Sequence, residues 1–144
     1  MKFIYSDGGR SNYFKAKNVG DCVTRAIANA TGLNYKKVYS DLKVLAKNER
    51  ICKSNKTRSS VRDGVARKTI KKYLEDTLHL EWISTMGIGT GCKVHLNENE
   101  LPKDKTIILS LSRHLTCVKN GILYDTYDCS RGGTRCVYGY WVVE

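Results

Sequence analysis

Cys22 stands in the run Gly20-Asp21-Cys22-Val23-Thr24-Arg25-Ala26-Ile27, where a turn should give way to a helix, and Ser112-Arg113-His114-Leu115-Thr116 lies far downstream. A cysteine at a helix N-terminus sits beside unpaired backbone N–H groups and the positive end of the helix dipole, both of which favour thiolate over thiol. An imidazole alongside completes the activation, and a carboxylate or amide behind the imidazole holds it in place. The chemistry these residue types support is attack of sulfur on a carbonyl carbon. The plainer reading makes Cys22 a small apolar residue on a buried helix, with His114 and its carboxylate as ordinary sheet residues.

The elements that must position these groups follow from patterning. Asp21 is an acceptable N-cap, Val23, Ile27 and Ala30 recur at helical spacing, and Gly32 is a good stop, so a first helix is predicted over about Asp21 to Ala30. Asp21 should act as that cap and point away from the sulfur, because a facing carboxylate would disfavour the thiolate. Asn34 caps a second helix carrying the stripe Val38, Leu42 and Leu45, and a third is predicted from about Asp63 to Leu78. Beyond it, Glu81 to Thr85, Thr106 to Ser112, Arg113 to Lys119, Ile122 to Tyr127 and Cys136 to Val143 read as strands, rich in β-branched and aromatic residues. Helices first and antiparallel strands later predict a single α+β domain, with the helices packed on a C-terminal antiparallel sheet.

Asn120-Gly121 is a strong hairpin signal, and as the two central turn residues it places His114 opposite Tyr127, Thr116 opposite Asp125 and Cys117 opposite Tyr124. His114 and Asp125 then share a face within diagonal reach, which makes Asp125 the first choice to orient the imidazole. Asp128 is the second, reachable only through a bulge. Cys117, at odd parity to His114, belongs to the core. His79 and His95 fall at a helix end and in a loop, with no hairpin carboxylate beside them.

The order of these parts, a cysteine opening a helix, a histidine beginning a strand and an acid on the next strand, resembles the papain-like cysteine peptidase superfamily. The likeness is to compact bacterial and phage members related to bacteriocin-processing peptidases, and it covers about residues 18 to 144. It implies a papain-like fold and a peptidase or amidase with Cys22 as nucleophile, His114 as general base and Asp125, alternatively Asp128, as orienting acid. The superfamily's oxyanion glutamine, six residues before the nucleophile, is replaced here by Ala16, and Asn18 becomes the candidate donor beside the Cys22 backbone N–H.

The composition bounds the partners. Twenty-five Lys and Arg against fourteen Asp and Glu give a formal charge of +11 over 144 residues, concentrated in the first half, which would attract any polyanion. The stretch from 53 to 62 has little to bury and is expected to be a mobile basic loop. Lys53, Lys56, Arg58 and Arg62 there, with Arg67, Lys68, Lys71 and Lys72 on the third helix, form the candidate binding surface. Tyr13, Phe14, Tyr35 and Tyr39 could add stacking. The rival to the hydrolase is therefore a non-catalytic basic protein that binds nucleic acid or an acidic host protein, including as a phage-encoded inhibitor. A hydrolase would take a peptide or protein substrate.

No apolar run is long enough to cross a membrane and the amino terminus has no apolar signal core, so a cytoplasmic protein without membrane partners is expected, the host's cytoplasm if phage-encoded. The six cysteines are expected as reduced thiols, since a chain with 41% hydrophobic residues needs no disulfide framework. Their spacing suits zinc poorly, and no metal or cofactor is expected. Gly87 to Lys93 lacks the register of a phosphate loop, and Arg131-Gly132-Gly133-Thr134-Arg135 is either a plain turn or a grip for an anion.

Overall fold

The computed structural model describes residues 1–15, 19–51, 53, 57–87 and 89–143. Among them six strands, β1 (Lys2–Tyr5), β2 (Glu81–Ser84), β3 (Thr106–Leu111), β4 (His114–Lys119), β5 (Ile122–Asp125) and β6 (Gly139–Val142), form one sheet in the order β1-β5-β4-β3-β6-β2. Three helices, α1 (Cys22–Thr31), α2 (Tyr35–Lys47) and α3 (Arg67–Lys71), complete an α+β fold. None of them is long and apolar enough to cross a membrane.

β3 is buried along its whole length because both faces of the sheet are covered. On one side Ile108, Leu115, Cys117 and Trp141 pack with Val23, Ile27, Val38, Leu42 and Leu74 of the helical layer. On the other, Ile107, Leu109, Val118 and Leu123 meet Leu96, Leu101, Cys129 and Val137 from the connecting segments. The period of two along each strand assigns these faces, and it places Cys117 in the core as predicted.

Local signals set the helix ends. Gly32 closes α1 at φ 74°, a left-handed conformation that favours glycine, and its N–H reaches the Ala28 carbonyl. Asn34 caps α2 by accepting from the N–H groups of Lys36 and Lys37. Asn120 and Gly121 both have positive φ, the hairpin turn joins β4 to β5, and the ladder pairs Cys117 with Tyr124, which is the predicted register.

Three expectations need correction. The sheet is mixed, because β1 runs parallel to β5 at the edge. A short, largely exposed strand held by backbone pairing leaves almost no pattern in its side chains. The third helix starts later, at Arg67, because Ser60 and Gly64 pair across a tight turn, and from Lys72 to Thr77 it continues as a π-helix that buries Tyr73 and Leu74 together. At the far end of the 53–62 stretch Val61 enters the core and the Ser59 N–H donates to Glu49 at 2.6 Å, while residues 54–56 lie outside the described residues. Finally, Cys92 and Cys136 form a disulfide across a 5.9 Å Cα separation, in segments already brought together by the His95–Cys136 bridge. Cys22, Cys117 and Cys129 are free thiols.

Gly139 has a role that only the packing reveals. A Cβ there would lie 2.3 Å from the Trp82 ring and 2.9 Å from the Ile83 carbonyl oxygen. Gly139→Ala should therefore destabilise the fold by about 1–3 kcal/mol through overpacking, read as a lower urea midpoint at unchanged m. An unaltered midpoint would show that Trp82 moves aside freely.

Candidate active site

Cys22 is the first residue of α1, so its sulfur lies beside the N–H groups that the helix leaves unpaired. Asp21 occupies the N-cap position but makes no side-chain cap bond. Its carboxylate instead lies in a buried cluster, accepting from Arg10 Nη1 at 2.9 Å, from Arg25 Nη1 and from the Tyr35 hydroxyl. Two guanidinium groups and a phenol outcompete a backbone N–H for a buried carboxylate, so the expected cap is replaced by an ionic anchor.

His114 opens β4 directly after a two-residue turn, and its Nε2 lies 2.7 Å from Asp125 Oδ2. The imidazole and the Cys22 thiol line the same cleft, and His114 lowers the thiol's pKa. Asp125 is almost wholly buried and fully engaged. It accepts from Thr116 Oγ1 at 2.7 Å, from the Thr126 N–H at 2.7 Å, from Arg25 Nη2 at 3.4 Å and from the Cys129 thiol at 3.5 Å. Asp128, the alternative acid, is spent on its own turn, where it accepts from the Ser130 N–H and hydroxyl. No bulge carries it back toward His114, so Asp125 alone of the two meets the imidazole.

The electrostatics favour an ion pair. Burial alone would push the Cys22 thiol up, but the hydrogen bond and charge of His114, the Leu115 N–H and the Arg25 guanidinium together hold it below its ordinary value. Burial would likewise push His114 down, yet its bonds to Asp125, Cys129 and Cys22 raise it to about 11. Asp125, which burial would raise, is held low by His114, Thr116 and the Thr126 N–H.

These shifts fix a pH dependence of stability. A thiol with a depressed pKa contributes stability present above its unfolded value, ordinarily 9.0, and lost as pH falls through its folded value. The raised His114 contributes in the opposite sense, its stabilisation present below 6.5 and lost as pH rises toward about 11. The part of the His114 contribution that comes from Asp125 and Cys129 is common to the native chain and Cys22→Ala. The native chain should therefore gain stability relative to the variant as pH rises toward 9.0, measured by urea unfolding. A constant difference would mean that the thiol is not ionised early.

Cys22, His114 and Leu115 line a cleft of about 560 Å³ whose other walls include Val65, Arg67, Arg113 and Tyr127. The Tyr127 ring packs on the imidazole with centroids 5.4 Å apart. Gly20 closes one side, where a Cβ would come within 2.8 Å of the Asp63 carbonyl. Asn18, the candidate oxyanion donor, lies outside the described residues. Arg10, Arg25, Thr116 and Cys129 were not predicted as parts of the site. An arginine on the apolar face of a buried helix, four residues after Asp21, is the signal that marks Arg25.

The remaining candidates sort by position. Lys53, Arg58, Arg62, Arg67, Lys68, Lys71 and Lys72 are exposed, and Lys56 lies outside the described residues. Arg58 and Arg62 line a groove of about 290 Å³ with Lys43 and Lys47 of α2. Tyr13, Phe14, Tyr35 and Tyr39 pack on one another, and Tyr35 is buried, which leaves its ring no face for a base. Arg135 is buried and donates to the carbonyls of Cys129 and Ser112, so it is no anion grip. His95 pairs with Glu100 away from the cleft. His114, Asp125 and Cys129 bring three potential metal-binding atoms within 4.8 Å, but a cation there would face the Arg25 guanidinium already at the carboxylate. No family model, curated protein or solved structure matches the chain.

Proposed function

We propose that the protein is a cysteine-dependent hydrolase, a peptidase or amidase, working through Cys22, His114 and Asp125. The observation that carries this reading is a helix-terminal thiol and an imidazole lining one cleft, with the imidazole hydrogen-bonded to a buried carboxylate. The Cys22 thiolate attacks the carbonyl carbon, and the oxyanion collects at the Cys22 backbone N–H. Protonated His114 gives its proton to the departing amine as the C–N bond breaks, leaving a thioester. Neutral His114 then takes a proton from water, whose oxygen attacks the thioester, and the carboxylic acid leaves as Cys22 recovers the pair. Asp125 holds the imidazole with Nε2 turned inward throughout.

The order of parts supports a papain-like relationship within this proposal. A bacterial or phage protein acting on a host component would suit the small basic chain. The test is hydrolysis of a fluorogenic peptide-amide library by the native chain and by Cys22→Ala. Release confined to the native chain is expected, both chains being folded at the assay temperature; equal release by the variant would overturn the mechanism.

A second reading has its own observation, the groove between Lys43, Lys47, Arg58 and Arg62, which is shaped and charged for a polyanion. Nucleic-acid binding that weakens steeply with salt would support it. Salt-independent or absent binding would remove it.

A further inference from the structure

We infer that the cleft selects acyl substrates bearing a carboxylate near the scissile bond, which Arg67 and Arg113 receive. This rests on the hydrolase reading and adds the substrate class to it. Of the three arginines that line the cleft, Arg25 is committed to Asp21 and Asp125. The other two have no carboxylate partner among the described residues.

The Arg67 side chain is held in place from behind, and Arg113 is fixed at its backbone. Arg67 donates to the buried Ser110 hydroxyl at 3.2 Å and lies 5.5 Å over the Trp82 ring, which is itself seated against Gly139. Arg113 is the residue immediately before His114 and adopts φ 53°, a left-handed conformation uncommon for a side chain of this size. The turn that carries it is clamped from below, where buried Arg135 donates to the Ser112 carbonyl at 2.8 Å. The Arg113 guanidinium itself makes no hydrogen bond or ion pair among the described residues.

Asp63 is the one acidic residue lining the cleft among the described residues, and it accepts from the Ser60 hydroxyl at 3.2 Å. Two guanidinium groups without a carboxylate partner, against one carboxylate, leave the cleft cationic, while the Cys22–His114 pair is neutral as a whole. Guanidinium groups bind carboxylates in a planar, bidentate manner and repel a basic segment, so an acidic peptide fits and a lysine-rich one does not.

The probes are iodoacetate and iodoacetamide, which alkylate the same sulfur and differ in charge. Their rates at Cys22 of the full chain are read by peptide mass at pH 7. The ratio of anionic to neutral rate should fall about tenfold in Arg67→Gln/Arg113→Gln, and further in Arg113→Glu, in keeping with focused attraction of an anion. It should also fall with added salt in the native chain. An unchanged ratio in these variants, with Cys22 still reactive, overturns the carboxylate inference and leaves the thiolate intact. Failure of Cys22 to react with either reagent overturns the hydrolase reading as well.

Discussion

Asp125→Asn will slow alkylation of Cys22 at neutral pH and lower any hydrolytic turnover by on the order of 10²-fold or more, while Asp128→Asn will leave both within about twofold. The asymmetry follows from position. Asp125 accepts the His114 Nε2–H and supplies the negative charge that keeps the imidazole protonated, whereas Asp128 faces its own turn. An amide at 125 keeps the shape but removes the charge, so His114 loses its main support and Cys22 loses the cation that holds it ionised. The same change leaves buried Arg25 with one carboxylate fewer, and a stability loss of about 3 kcal/mol is expected alongside the kinetic one. Comparison at a temperature well below the variant's midpoint separates the two effects. Equal loss from Asp128→Asn would contradict the hairpin geometry on which the site is built.

The largest effect on stability alone should come from Asp21→Asn. Its carboxylate is the shared partner of Arg10 and Arg25 and the acceptor for the Tyr35 hydroxyl, all four groups being buried. Burial and the neighbouring carboxylate hold the Tyr35 phenol protonated far above the pH of any ordinary experiment. Removing this shared charge takes a buried ionic partner from both guanidinium groups at once, at a cost of about 3–5 kcal/mol and a fall in thermal midpoint of roughly 10 °C. The cluster joins the turn at Arg10, the start of α1 and the start of α2, so the loss should also loosen the backbone that presents Cys22. A midpoint within about 1 °C of the native chain would show that solvent reaches the cluster and replaces the carboxylate.

Much of the site was legible because its decisive constraint is local. Asn120-Gly121 fixes a two-residue turn, the turn fixes the register, and the register brings Asp125 to His114. Gly32 and Asn34 punctuate the first two helices in the same direct way. The anchor around Asp21 was not legible, because its four members come from three separate segments and nothing in the local pattern of any one of them shows the others. Asp21 looked like a cap since the residue type suits both tasks, and only the presence of Arg10 and Tyr35 decides between them. β1 escaped for a related reason, being paired in parallel with a strand from the far end of the chain. Val61 was hidden among basic residues, and a single apolar side chain makes no periodic pattern. Thr116 and Cys129 surround Asp125 through tertiary packing, although the predicted register had already placed Thr116 opposite the acid.

The central claim is that His114 keeps Cys22 ionised, and the most direct measurement is the pH dependence of Cys22 alkylation by iodoacetamide in the native chain and in His114→Ala. In the native chain Cys22 should react faster than Cys117 and Cys129, with an inflection well below the roughly 8.5 of a free thiol. In His114→Ala burial acts without its largest counterweight, so the inflection should move up, above that value, and the rate at pH 7 should drop by at least about tenfold. An inflection at the free-thiol value in the native chain, unmoved by His114→Ala, would contradict the account.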